Sequence, residues 1–163
     1  MKRKLIAATL ALGFVAYSHQ AQDHADMHKT GVDQRGDHAM GFSHEKTTHH
    51  FLLYRDGGAI QVEANDAKDI ASRDQIRMHL SHIAKMFADG NFQAPMLIHD
   101  QTPPGVPVLR QLKAEVTYRF EKTARGGLVR VTTKNQEALQ ALHEFLRFQI
   151  KDHGTADSGA VER

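Results

Sequence analysis

His50-Phe51-Leu52-Leu53-Tyr54-Arg55-Asp56-Gly57-Gly58-Ala59-Ile60-Gln61-Val62-Glu63-Ala64 decides the fold. Aromatic, β-branched and long apolar residues flank an Asp-Gly-Gly step, the pattern of two short strands joined by a tight turn. Asn65 and Asp66 follow and offer caps for a helix from about Ala67 or Ile70 to Ala88. Ile76, Leu80, Ile83, Ala84 and Phe87 recur at helical spacing and mark its core face, and Gly90-Asn91 closes it.

The same order returns further along. Glu115 to Lys122 reads as a strand, Arg125-Gly126-Gly127 as a turn and Leu128 to Thr133 as a strand. Gln136 to Lys151 then reads as a helix, with Leu139, Leu142, Leu146 and Ile150 near one stripe. Gly57-Gly58 and Gly126-Gly127 fix the offset between the two halves, and the helices overlay at a slightly smaller one. Between the halves, Ala94 to Ile98 suits a short strand and Thr102-Pro-Pro-Gly-Val-Pro107 a stiff loop. The expectation is an α+β domain: a four-stranded antiparallel or mixed sheet with two helices on one face. Its β-β-α units are either duplicated or accidentally alike.

At the amino terminus, Met1-Lys-Arg-Lys4 precedes an apolar run from Leu5 to Tyr17 and then small polar residues, the order of a secretory signal. The run is shorter than the roughly 20 apolar residues that span a bilayer. Cleavage is expected after Ser18 or Ala21, with no stable membrane insertion afterwards. The chain then divides into a signal (1–21), a flexible His- and Met-containing leader (22–48), one α+β domain (49–151) and a polar tail (152–163). The expected location is the periplasm or the extracellular space.

Export changes the charge balance. The 163 residues carry 21 Lys plus Arg against 19 Asp plus Glu, but Lys2, Arg3 and Lys4 leave with the signal, so acids exceed bases by one. No net positive field remains to draw nucleic acid. Arg73, Arg77, Arg110, Arg119, Arg125 and Arg130 read as solvated faces beside core aromatics such as Tyr118 and Phe120. There is no cysteine. Disulfides, thiolate catalysis, blue-copper sites and cysteine-held clusters are excluded.

Histidine is the abundant chemical group: twelve in all, seven of them between His19 and His50. Imidazole suits Cu(II), Zn and Ni, and thioether selects Cu(I), so Met27 and Met40 among these histidines favour copper over zinc. Cleavage after Ala21 would leave Gln22-Asp23-His24, whose amine, amides and third-position imidazole can hold Cu(II) or Ni(II). The sharper group is His44, His49 and His50, placed just before a strand. His79 and His82 form an i,i+3 pair with Met86 on the same stripe, and His99-Asp100 sits at a loop boundary. His143 and His153 read as structural, the latter at a helix carboxyl end.

The span Met40-Gly-Phe-Ser-His-Glu-Lys-Thr-Thr-His-His-Phe51, with His79–His82, Ile98-His99-Asp100 and Phe145-Leu-Arg-Phe-Gln-Ile150, resembles an uncharacterised family of small exported bacterial proteins. The resemblance covers most of the mature chain. It implies export and one folded domain, and it assigns no activity.

These readings predict an extracytoplasmic protein that binds a transition metal ion, handling or sequestering copper, through His44, His49, His50, His79, His82 and His99. One alternative is a metal-dependent hydrolase or oxidase with Asp100 or Glu45 handling protons. Another is a metal-independent module that binds a protein or small ligand through its sheet face or its Pro-rich loop. Beyond metal ions, the expected partners are a periplasmic protein or a second copy of the chain.

Overall fold

A computed structural model describes Met27 and residues 30–162. The signal, both cleavage points, the Gln22-Asp23-His24 terminus and most of the histidine leader before Thr30 lie outside the described residues. Helix α1 covers residues 30–40. Strand β1 (Thr47–Tyr54), strand β2 (Gly57–Ala64) and helix α2 (Ile70–Ala88) form the first unit. Helices α3 (Gln93–His99) and α4 (Val106–Gln111) lie between the units. Strand β3 (Val116–Lys122), strand β4 (Gly126–Thr133) and helix α5 (Gln136–His153) form the second.

The four strands make one sheet in the order β1-β2-β4-β3, with every neighbouring pair antiparallel. The repeat holds at the level of register. Thr47 pairs with Ala64 and Leu53 with Gly58; moved on by the step from Gly57 to Gly126, these pairs become Val116 with Thr133 and Lys122 with Gly127, both observed. Alternation sends Phe51, Leu53, Ile60, Val62, Val129 and Val131 to one face, where all are buried. There α2 lies mainly over β3 and β4, whereas α5 lies over β1 and β2. Each helix thus roofs the hairpin of the other unit, so neither unit completes a core alone.

The expected face of α2 is the buried one: Ile76, Leu80, Ile83, Ala84 and Phe87. Asp69, rather than Asn65 or Asp66, caps it, accepting from the Ser72 N–H at 3.0 Å and the Ser72 hydroxyl at 2.7 Å. Asn65 instead ties the start of β1, accepting from the Thr48 hydroxyl and donating to the Glu45 carbonyl. On α5 the stripe is rotated from the expected one. Ala138, Ala141, Leu142, Phe145, Leu146 and Gln149 are buried, while Leu139 and Ile150 are half-buried. Phe145 meets Phe87 and Phe92 edge to face, and that aromatic contact sets the rotation.

Three connecting segments depart from expectation. Gln93–His99 is a helix, not a strand. Pro95 sits in its first turn, where a missing N–H costs nothing. Asn91 accepts from the Gln93 N–H at 3.0 Å, and Pro95 and Ile98, three apart, are buried. The Pro-rich stretch opens α4, with Pro107 in the first turn. Residues 30–40, expected to be irregular, form α1: Val32 and Gly36 are buried one turn apart, and Arg35 donates to the Ile98 carbonyl at 2.7 Å. Phe42 joins the core. Docking supplies the order that the leader's composition does not.

The polar tail runs back along β1. Asp157 accepts from the Phe51 N–H at 2.9 Å, Glu162 donates its N–H to the Leu53 carbonyl at 2.9 Å, and Glu162 bridges Tyr54 in parallel. An edge strand is shielded in this way. Among the described residues no helix is long and apolar enough to cross a membrane.

Gly105 holds α4 against α5. Its φ is +80°, and a Cβ there would lie 1.9 Å from the Ala141 carbonyl oxygen. Gly105→Ala should therefore lower unfolding free energy by more than about 2 kcal/mol. Gly159→Ala, with its nearest neighbour at 3.8 Å, should change it by less than about 0.5 kcal/mol; urea unfolding of both variants checks this.

Candidate functional site

The alternation of β1 turns His49 toward the helices with Phe51 and Leu53, and turns His50 to the opposite face. His49 occupies the place that Tyr118 fills in the second unit, and both keep a buried polar atom without a hydrogen-bond partner among the described residues: His49 Nε2 and the Tyr118 hydroxyl. Leaving such a group unpaired costs about 1–3 kcal/mol, so each demands an explanation. For His49, the surroundings supply one.

His49 borders a cavity of about 60 Å³, lined also by Met40, His79, His99, Gln149 and His153 within a wall of core apolar residues. That is room for a bare ion or a very few waters. A second space of about 410 Å³ opens beside it, between α1, the start of β1 and the C-terminal segment. Met40, His49 and His153 belong to both.

The rings form a continuous line. His79 meets Phe42 edge-on at 5.6 Å between centroids, and Phe42 stacks on His49 at 6.2 Å. His49 and His153 are parallel within 7° at 5.7 Å, and His153 meets His99 at 5.0 Å, nearly perpendicular. Burial dominates their titration. It lowers His49 to about 4, helped by the nearby imidazoles of His79, His50 and His44 and opposed by Asp37. It lowers His79 to about 4, with His82 assisting. His153 falls to about 3 through burial and then His49 and His99, against the pull of Asp152. At neutral pH all three are neutral imidazoles, the form that binds metal.

The six expected ligands do not gather at one point. His49, His79 and His99 border the cavity, but His99 is spoken for: its Nδ1 lies 2.5 Å from an Asp152 carboxylate oxygen and its Nε2 2.9 Å from the Gln149 amide oxygen. Its carboxylate partner is Asp152, not the adjacent Asp100, which is exposed. His44 and His50 border the larger space. His44 Nδ1 is 3.1 Å from Asp37 and Nε2 3.7 Å from Asp33, while His50 Nδ1 is 2.8 Å from Asp157. His82 is exposed on α2, and Glu45 is exposed as well. Among the described residues, no group of three or more His, Cys, Asp or Glu side chains is arranged to hold a metal ion.

His153 takes a place that the sequence reading gave to others. Its signal is periodic: Leu142, Leu146, Gln149 and His153 continue one inward stripe of α5 at steps of four, three and four. His143, on the same helix, is structural, with Nε2 2.9 Å from the Gly57 carbonyl and 3.0 Å from that of Tyr54. No family model, curated protein or solved structure matches this chain.

Depressed histidines make stability depend on pH with a definite sign. Above about pH 6.5, His49, His79 and His153 are neutral whether the chain is folded or not, and their contribution is fully present. Below it the unfolded chain takes up protons that the folded chain refuses, so stability is lost as pH falls toward their folded values near 4 and 3. Metal-free protein should lose stability between about pH 6.5 and 5, where exposed carboxylates remain ionised. His153→Phe should flatten that slope by about one proton; urea midpoints across this range provide the check.

Proposed function

We propose that the protein is an extracytoplasmic copper-binding protein that holds Cu(I) between His49, His153 and Met40. The observation that carries this reading is the His49 Nε2, buried without a hydrogen bond in a wall shared with the neutral His153 and the thioether of Met40. Imidazole and thioether without thiolate form a donor set that favours Cu(I). The charge argument agrees. Among the described residues the cavity has no carboxylate in its lining, so a zinc dication would enter with both charges uncompensated, whereas Cu(I) brings one. Structural zinc also asks for four ligands, more than this set offers. The basic-then-apolar start of the chain, Met1 to Tyr17, supports work outside the cytoplasm.

The test is anaerobic titration of untagged mature protein with Cu(I) in competition with a chromogenic chelator. One tight Cu(I) per chain is expected. His49→Phe and His153→Phe should each weaken it by about tenfold or more, and Met40→Leu by a smaller factor. Tight binding unchanged in both histidine variants would overturn the reading. A chain that takes up no Cu(I) would return it to the metal-independent class.

A further inference from the structure

Two kinds of histidine are present. His44, His50, His99 and His143 each place a ring nitrogen within hydrogen-bonding distance of protein oxygen. His79 and His82 have no hydrogen-bond partner among the described residues, the first half-buried and the second exposed on α2. With Met86 they occupy positions i, i+3 and i+7, which share one helical face. All three line a surface groove of about 510 Å³ between α1, α2 and α3, together with Ala39, Gln93 and Leu97. Among the described residues no acidic side chain lines it. The space of about 410 Å³ beside β1 differs: Asp33 and Asp157 line it, and its His44 and His50 are paired to carboxylates.

His79 is the member common to the groove and the inner cavity. Exposure falls along the series: His82 is exposed, Met86 and His79 are half-buried, and the His49 Nε2 is buried. Leu97 contributes an exposed apolar rim.

We infer that His79, His82 and Met86 form a second, solvent-facing Cu(I) site that loads and unloads the buried one, with His79 as the shared wall. The inference rests on the copper reading above and extends it from holding an ion to passing one. Nothing is oxidised or reduced: Cu(I) leaves one set of nitrogen and sulfur donors for another. A carboxylate-free entrance discriminates against harder dications, which the aspartates of the space beside β1 would attract. Partial exposure of the outer donors makes the site weaker and faster than the inner one.

The experiment uses the full mature chain loaded with Cu(I), and follows both stoichiometry and the rate of transfer to an excess of chromogenic chelator. His82→Asn combined with Met86→Leu should leave the tight site's affinity unchanged. It should remove one weaker equivalent of Cu(I) and slow transfer by about tenfold. His82 is exposed and Leu conserves the volume of Met86, so the fold is retained. An unchanged transfer rate with the tight site intact would overturn the relay and leave the copper reading standing. Tight binding that survives His49→Phe and His153→Phe would sink the copper reading, and the relay with it.

Discussion

β2 and β4 lie side by side in the middle of the sheet and run antiparallel, and this pairing governs the rest of the architecture. It joins two hairpins of identical register about a local two-fold relation. It also carries each helix across to the far hairpin, because the chain leaves β2 and β4 on opposite sides of that relation. The Gly-Gly steps make the central approach possible. A Cβ at Gly57 would lie 1.9 Å from the Val131 carbonyl oxygen, and one at Gly126 2.1 Å from that of Val62. Close strand contact and crossed helices are thus two results of one pairing.

A repeat of this kind provides a comparison inside one molecule. The third residue of the first strand in each unit points into the core: Tyr118 in one, His49 in the other. The longer phenol reaches deep among Phe87 and its neighbours, and burial pushes its hydroxyl up from its ordinary value. The shorter imidazole leaves space, which Met40 from α1 and His153 from the end of α5 border without closing. The asymmetry between two otherwise equivalent positions leaves the His49 side of the core with a cavity bordered by polar groups. Helix α1, which has no counterpart described in the second unit, supplies the sulfur.

Much of the fold was legible because its strands and its two long helices carry strong periods: alternation around Gly57 and Gly126, and the core face of α2. The short helices were not. Ala94 to Ile98 has the apolar content of a strand, yet it is helical, with Pro95 in the first turn and Asn91 accepting from the Gln93 N–H where the helix begins. Helix α1 offers few apolar residues, so its order comes from docking and leaves little trace in composition. At the site, His49 and His79 were visible as members of histidine-rich stretches, and His153 was visible in principle as the next step of a buried stripe. The pairings that withdraw other histidines were not visible. Asp152 meets His99 across 53 residues and Asp157 meets His50 across 107, and no local pattern announces contacts of that range. Histidine count alone therefore overstated the number of rings available for coordination.

The crossed roof also bears on how the chain is made. Tyr54, the last residue of β1, is synthesised well before Gln136, where the helix that covers that strand begins. A chain emerging from the ribosome presents the first hairpin before the helix that covers most of its apolar face has been made. Glu162, made later still, lies along β1 and covers part of its edge. The first hairpin made is thus among the last parts of the fold to be covered.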